Sequence, residues 1–345
     1  MTTKSLILKE YINEGIPTKE SFEIIEINIP SINIEGSIQI QLIALSPDPY
    51  MRGRIKSTST AKMNLNEPIV GFVVGKVIQS LNNNEWNIGD LFGARLPHTL
   101  IQTLTPDDLK TSLIWKLTGL LDENEITLGL GILGMPGSTA YGGLIDVLRP
   151  NQGETIFISA ASGAVGSLVG MIAKRIYNCT VIGSCGGPEK CALIKEKFGF
   201  DHAIDYKTVS TADELKAALK AVAPNGIDMY FENVGGIHFD AAYTSLRPYG
   251  RIAVCGGISQ YNDATPTLNS INPMLLIYSF QRIEGFVCTP WLVGQKGNFL
   301  QDMHKWYRNG DLVPQETYFD GLEGWIDGFQ ALFTGKNVGK VVVRV

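Results

Sequence analysis

The sequence predicts an α/β protein in two parts: a β-rich, barrel-like N-terminal domain, then a doubly wound parallel sheet of six strands. Three observations carry that expectation. Up to about residue 130, short segments alternate apolar and polar residues between polar turns. From about 131, short apolar runs alternate with helical patterns. At the first of these alternations, the run Thr155–Ile158 crosses small residues and enters the helical pattern Val165–Lys174, a strand, tight turn and helix start in succession.

In the N-terminal part, the stretch following Met1-Thr2-Thr3-Lys4-Ser5 is strand-like and unlike a signal peptide. Ser21–Ile29 and Ser37–Leu45 alternate, the second placing Ile38, Ile40 and Leu42 on one face, and Gly71–Gln79 is a third strand. Asn82-Asn83-Asn84 and Gly89-Asp90 mark turns, and Pro106–Leu109 opens a short helix or turn.

Beyond Thr155–Ile158, strands are expected at Thr180–Gly183, Ala203–Tyr206, Ile227–Phe231, Arg251–Cys255 and Arg282–Val287. Helices are expected at Pro188–Phe198, where proline suits the first turn, and at Thr211–Val222, with a capping threonine ahead of Asp213 and Glu214. Phe239–Leu246 and Met274–Phe280 complete the crossovers. Right-handed crossovers put a ligand at the carboxyl ends of the strands. Helices at Phe299–Arg308 and Leu322–Thr334 precede a last strand, Lys340–Val345, expected to return to the N-terminal domain.

Composition narrows the function. Hydrophobic residues are 44% and charged residues 18% of the 345, enough for a sizeable core. The net charge of −5, with no basic block, argues against nucleic acid or an anionic membrane surface as partner. No apolar run approaches the ~20 residues of a membrane span. The five cysteines (179, 185, 191, 255 and 288) form no C-x-x-C pair, so they read as reduced packing residues in the cytosol. His98, His202, His238 and His304 show no ligand spacing, and each reads as a surface or hydrogen-bonded structural residue. No G-x-S-x-G elbow is present, which disfavours an α/β-hydrolase.

The small-residue turn has a specific chemistry. Ala161-Ser162-Gly163-Ala164-Val165-Gly166 follows the G-x-G-x-x-G pattern with alanine at the first glycine. Backbone N–H groups at such a helix start hold a pyrophosphate; Gly163 lets the backbone approach it, and Gly166 lets helix and strand pack closely. The second strand runs into Gly183-Ser184-Cys185-Gly186-Gly187 with no acid to bind a ribose 2′-hydroxyl, and Lys190 follows, which favours NADPH. Glu232–Gly236 and Cys255–Tyr261 follow strands four and five, on the same ligand side of the sheet.

Taken with Asp48-Pro49-Tyr50-Met51-Arg52, Gly134–Tyr141, Ala160–Gly166, Phe231–Gly236, Cys255–Asn262 and Gly335–Lys340, the chain resembles, nearly end to end, the zinc-independent medium-chain dehydrogenase/reductases. The branch is that of the prostaglandin reductases (leukotriene B4 12-hydroxydehydrogenases) and the plant and bacterial double-bond reductases. The resemblance implies a GroES-like domain over 1–130, completed by 311–345, around a Rossmann domain over 131–310. It implies a soluble homodimer; the reduced cysteines point to the cytoplasm, and the missing ligand set to no metal. It implies NADPH-dependent reduction of the C=C bond of α,β-unsaturated aldehydes and ketones, including 15-oxoprostaglandin-like enones. By matching positions, Ala164, Val165, Gly166 and Ser167 lie at the pyrophosphate, and Lys190 and Tyr206 hold the 2′-phosphate side. Asn233, Cys255, Gly256, Gly257, Ile258, Ser259, Gln260, Tyr261, Phe286, Val287, Cys288 and Asn337 line the rest of the cofactor. Tyr261, and after it Tyr50, face the substrate carbonyl as donors to the developing enolate, the cofactor's ribose hydroxyl being the alternative donor. The chain departs from its relatives at Cys288-Thr289-Pro290, where they carry an aromatic and an arginine before the tryptophan, and at Phe72, where plant relatives carry tyrosine. Prostaglandin specificity is therefore not carried over. The rival readings are a quinone oxidoreductase of the same superfamily and a non-catalytic NADPH-binding protein.

Overall fold

The alternating N-terminal segments form strands that pair mostly antiparallel, and the chain's last strands join them. The computed structural model describes residues 1–265, 267 and 269–345. Strands β1 (Thr2–Leu8) and β2 (Phe22–Asn28) form an antiparallel ribbon. Strands β3 (Ile38–Ser46), β4 (Val70–Ser80), β5 (Leu91–Pro97), β6 (Ile101–Leu104) and β7 (Leu113–Lys116) build most of a larger sheet. Six strands follow: β8 (Thr155–Ile158), β9 (Thr180–Cys185), β10 (His202–Asp205), β11 (Ile227–Glu232), β12 (Leu246–Val254) and β13 (Arg282–Gly285). The last two, β14 (Glu316–Asp320) and β15 (Lys340–Arg344), return to the first sheet, whose order is β14-β15-β3-β4-β5-β7 with β6 also paired to β3.

The chain divides into two units: residues 1–134 with 262–264 and 316–345, and residues 135–261 with 265–315. In the first, barrel-like unit, β15 lies antiparallel to β3 through Val343–Leu45 and Arg344–Ala44, and β14 lies parallel to β15. The helix Gly324–Thr334 inserts Trp325 and Phe329 into a core that also holds Leu6, Ile38, Leu45 and Phe92. Each such side chain contributes roughly 1.5–3 kcal/mol by leaving water, so the chain's end stabilises the core of its beginning. His98 lies fully buried in this unit, edge-on to Trp325 at 5.8 Å between ring centroids, and neither ring nitrogen has a hydrogen-bond partner. It is thus neither of the two kinds of histidine expected; burial keeps it neutral, with its pKa lowered to about 3.

The second unit is the expected six-stranded parallel sheet, in the order β10-β9-β8-β11-β12-β13. The order reverses between β8 and β11, the place where ligands bind in such sheets. Its core joins Phe157, Ile182, Tyr230 and Ile252 from the strands to Leu215, Leu219 and Phe239 from the helices. The helix expected over 239–246 occupies Ile237–Tyr243, because Leu246 already pairs with Ile227 as the start of β12. A helix Met135–Tyr141, running on into a wider π-helical turn over Gly142–Leu148, was not anticipated. Its small residues serve packing: a Cβ on Gly142 would sit 2.3 Å from the Trp291 ring, and one on Gly143 2.4 Å from Phe286. No helix among the described residues is long and apolar enough to cross a membrane.

Candidate active site

The turn between β8 and the helix Ala164–Arg175 is built around a close backbone approach. A Cβ on Gly166 would meet the Ala160 carbonyl oxygen at 2.5 Å, so only glycine lets the helix start so near the turn. The left-handed residue is Ala160, with φ of 50°, one position before the alanine that replaces the usual first glycine. A non-glycine residue there costs roughly 1–2 kcal/mol. Gly163 caps the helix without any side-chain hydrogen bond. The amides of Ala164, Val165 and Gly166 therefore head a helix whose first N–H groups have no intrahelical acceptor, the arrangement that holds a pyrophosphate.

Around the end of β9 the structure gathers Ser184, Lys190 and Tyr206. Ser184 Oγ lies 2.9 Å from His238 Nε2, and the Tyr206 ring stands edge-on to His238 at 5.8 Å. Tyr206 Oη would lie 2.8 Å from a Cβ on Gly186, so the ring covers that turn. Two neighbours here escaped the sequence. Asp205, at the end of β10, accepts from Gly187 N–H at 2.8 Å, which ties its carboxylate to the backbone. Lys207 stands near enough to help lower the Lys190 pKa, although burial is the larger cause. Two lysines and one carboxylate thus stand together at this end.

Glu232, at the end of β11, organises the central turns. Its Oε1 accepts from Tyr230 Oη (2.8 Å), Ser159 Oγ (3.1 Å), Val234 N–H (2.6 Å) and Gly235 N–H (2.9 Å). Ser159 Oγ in turn accepts from Asn233 N–H, and Asn233 Nδ2 donates to the Ser159 carbonyl at 2.7 Å. One carboxylate therefore fixes the ends of both β8 and β11, with Asn233 beside them. Burial raises its pKa, the backbone donors opposing that shift.

The next turn, Cys255–Tyr261, is stitched to this one. Cys255 and Gly256 N–H groups donate to the Glu232 carbonyl, Ile258 N–H to that of Asn233, and Ser259 N–H to that of Val234. Tyr261 folds back over the turn: its Oη accepts from Gly257 N–H at 3.3 Å and would lie 2.8 Å from a Cβ on Gly256. Burial, with Cys255 and Glu232 nearby, raises the Tyr261 pKa from 10.0, so the hydroxyl keeps its proton at neutral pH. Phe286 packs edge-on to Phe231 and Trp291, Val287 is exposed, and the Cys288 carbonyl accepts from Ser138 Oγ.

The remaining two site residues, Tyr50 and Asn337, belong to the first unit. Asp48 pairs with Lys340 at 3.0 Å, both side chains buried, and Lys340 also donates to the Pro47 carbonyl. Arg52, fully buried, donates to the carbonyls of Ile12 and Gly15 and to Asn262 Oδ1. Tyr50 stands between these anchors at the head of the short helix Met51–Arg54, with Phe72 edge-on to its ring at 6.3 Å. Asn337 donates to the Gly339 carbonyl three residues ahead of the Lys340 anchor.

Two family models match the chain: one described as the N-terminal domain of oxidoreductase over residues 4–111, the other as zinc-binding dehydrogenase over 164–296. The chain is 37% identical over 342 residues to mouse (Mus musculus) prostaglandin reductase 1, covering 99% of this chain and 98% of that protein. It is 39% identical over 352 residues to the NADP(+)-dependent 2-alkenal reductase of Nicotiana tabacum, covering 100% and 98%. Its fold matches the crystal structure of CurA in complex with NADPH from Vibrio vulnificus with a TM-score of 0.86, at 35% identity and 99% coverage of both chains. The chain belongs to the medium-chain dehydrogenase/reductase family. It is an oxidoreductase of the prostaglandin reductase and 2-alkenal reductase branch.

In this dehydrogenase/reductase the residues at the β8, β9, β11 and β12 ends fit a dinucleotide: a helix start with no side-chain cap, a turn that only Gly166 permits, and a second-strand end where Lys190 and Lys207 stand together. They do not fit the zinc named in the matching family model, since no group of three His, Cys, Asp or Glu among the described residues is placed to hold a metal. Glu232 is the site's main unforeseen contributor, and its role can be tested. Glu232→Ala strands several buried donors and should cost at least about 3 kcal/mol in urea unfolding. Glu232→Gln keeps an amide oxygen for the same donors and should cost far less. Because the folded-state pKa is raised above 4.5, the wild-type contribution is fully present below that value and is lost as pH rises through the folded value. The glutamine variant should therefore gain on wild type as pH rises from 4.5 through the raised folded value; parallel stability curves would refute this raised pKa.

Proposed function

We propose that this enzyme reduces the C=C bond of α,β-unsaturated aldehydes and ketones with NADPH. The full-length similarity to the two named reductases supports the reaction class, and the NADPH complex of CurA supports the cofactor. The observation that supports the reading is the Tyr261 hydroxyl folded over the Cys255–Tyr261 turn against Gly257 N–H, with burial raising its pKa. When bound, the cofactor supplies the hydride for the β-carbon. Ala164, Val165, Gly166 and Ser167 hold the pyrophosphate, and Lys190, Tyr206 and Lys207 the 2′-phosphate. Asn233, Cys255–Tyr261, Phe286–Cys288 and Asn337 line the remainder. Negative charge develops on the substrate carbonyl oxygen, and a donor fixed in a dry site stabilises it by about 3–4 kcal/mol. Tyr261 accepts from Gly257 N–H, which polarises its O–H and strengthens it as that donor. Tyr50 positions the substrate. The domain roles follow, with 131–310 binding cofactor and 1–130 with 311–345 completing the catalytic domain. The cytoplasm is the proposed compartment, in keeping with five free cysteines.

Lys190→Ala should weaken NADPH about tenfold or more, as loss of a charge-assisted phosphate contact does, and leave NADH little changed in fluorescence titrations. Wild-type preference for NADH would refute the assignment. Tyr261→Phe keeps the ring and removes the hydroxyl. It should lower kcat about 10²-fold with an alkenal while NADPH affinity stays within a few fold, because the lost contact is made mainly in the transition state. A kcat near wild type would leave the cofactor ribose as the donor. The same absorbance assay with quinones separates the enone reading from a quinone oxidoreductase, and no turnover with either would point to a binding protein.

The homodimer is proposed on the free edge of β13. Beside that edge, Met274, Ile277, Tyr278, Phe280 and Tyr249 are exposed, with the Tyr249 and Phe280 rings stacked at 4.9 Å. An apolar patch at an open strand edge invites pairing with a second copy. Light scattering should give a dimer for wild type and a monomer for Ile277→Asp combined with Phe280→Asp. A monomeric wild type would overturn the proposal.

A further inference from the structure

Two thiols face each other at the 2′-phosphate end of the site. Cys185 closes β9 and is buried; Cys191, half-buried, lies on the helix Pro188–Glu196. Their Sγ atoms are 3.5 Å apart, within hydrogen-bonding contact for sulfur. Between them run Gly186, Gly187, Pro188, Glu189 and Lys190, so a bond joining the two would close a loop that carries the proposed phosphate-binding lysine. A disulfide needs the sulfurs at about 2.05 Å, a closure of about 1.5 Å from the present separation. Gly187, with φ of +96°, gives the loop a backbone freedom that other residues lack. The sequence reads both cysteines as packing residues; the β9-to-helix turn brings them together.

We propose that Cys185 and Cys191 form a redox-responsive dithiol, which a peroxide converts to a disulfide that displaces Lys190 and weakens NADPH binding. The effect on the cofactor rests on the NADPH reading above; the disulfide itself does not. The partly exposed Cys191 thiol meets the peroxide first and takes one oxygen, giving a sulfenic acid and one water. Cys185 sulfur then attacks the Cys191 sulfur, the S–O bond breaks, and the Cys185 proton leaves with the hydroxyl as a second water. Two thiols lose two electrons in all, and one peroxide becomes two waters. Burial and the bond to Cys191 push the Cys185 pKa up, the Lys190 ammonium opposing them, so Cys185 stays a thiol until its partner is oxidised. By linkage, a disulfide that lowers affinity for NADPH must form less readily on the NADPH-bound protein.

The test treats the full chain with hydrogen peroxide and reads it by intact mass and non-reducing peptide mapping. The expected product is two hydrogens lighter, joins the Cys185 and Cys191 peptides and reverts with dithiothreitol. It should bind NADPH about tenfold more weakly by fluorescence titration, and saturating NADPH should slow its formation several-fold. Cys185→Ser and Cys191→Ser should each abolish the linked peptide and the peroxide-induced loss of affinity. No linked peptide, or linkage of a different pair, would overturn the proposal. A linked product with unchanged NADPH affinity would overturn the coupling. A reduced protein that binds no NADPH would overturn the coupling together with the cofactor reading and leave the disulfide standing, so the two failures are distinguishable.

Discussion

The buried pair Asp48–Lys340 is the constraint on which the first unit depends. It joins residues 292 positions apart, and neither side chain reaches solvent to any useful extent. Burying two charges costs several kcal/mol per ion, offset only when geometry and extra hydrogen bonds are good. Both conditions hold: Asp48 also accepts from Ser46 Oγ at 2.5 Å, and Lys340 donates to the Pro47 carbonyl. Such a pair specifies one register of β15 against β3, since a slip would leave a bare charge inside the sheet. Tyr50 and Asn337 flank the two partners in sequence, so the placement of two candidate site residues comes from the same interaction.

In the second unit the equivalent constraint is the set of hydrogen bonds gathered by a single buried acid. Glu232 gathers side-chain and backbone donors from two strand ends, and the Cys255–Tyr261 turn hangs from the carbonyls beside it. The left-handed Ala160 adds local strain that the close helix packing at Gly166 holds in place. The result is backbone N–H groups aimed before any ligand arrives, so little ordering cost remains for binding.

Much of this was legible in the sequence, for identifiable reasons. β3 carries one buried face over most of its length and therefore alternates, β4 is buried on both faces over residues 71–75 and reads as an apolar run, and the helix Ala212–Val222 announces itself through Thr211, whose side chain accepts from Glu214 N–H. β5 is buried on both faces and so shows no alternation, and β6 and β7, at four residues each, are too short to show a period. Helix 135–141 was hidden by its glycine and proline, residues chosen there for what they leave room for. The cofactor turn was readable because its chemistry lies in the backbone and needs small residues at fixed spacing. The wiring of Glu232, the nearness of Lys207 to Lys190 and the contact between Cys185 and Cys191 were not, since each depends on strands that only the folded sheet places side by side.

The return of β15 to β3 also bears on how the protein is made. Ribosomal synthesis releases β1–β7 first, with a sheet lacking the strand that pairs with Ala44 and Leu45 of β3 and a core lacking Trp325 and Phe329. The parallel sheet of the second unit emerges next with all six of its strands contiguous in the chain. It can fold on its own schedule while the first unit waits, the Ala44–Leu45 end of β3 open to mispairing, until β15 is threaded in. Domains generally form in the order in which they are synthesised; here the N-terminal unit is the last to be completed, and the interval before its closure is when the nascent chain most needs protection from aggregation.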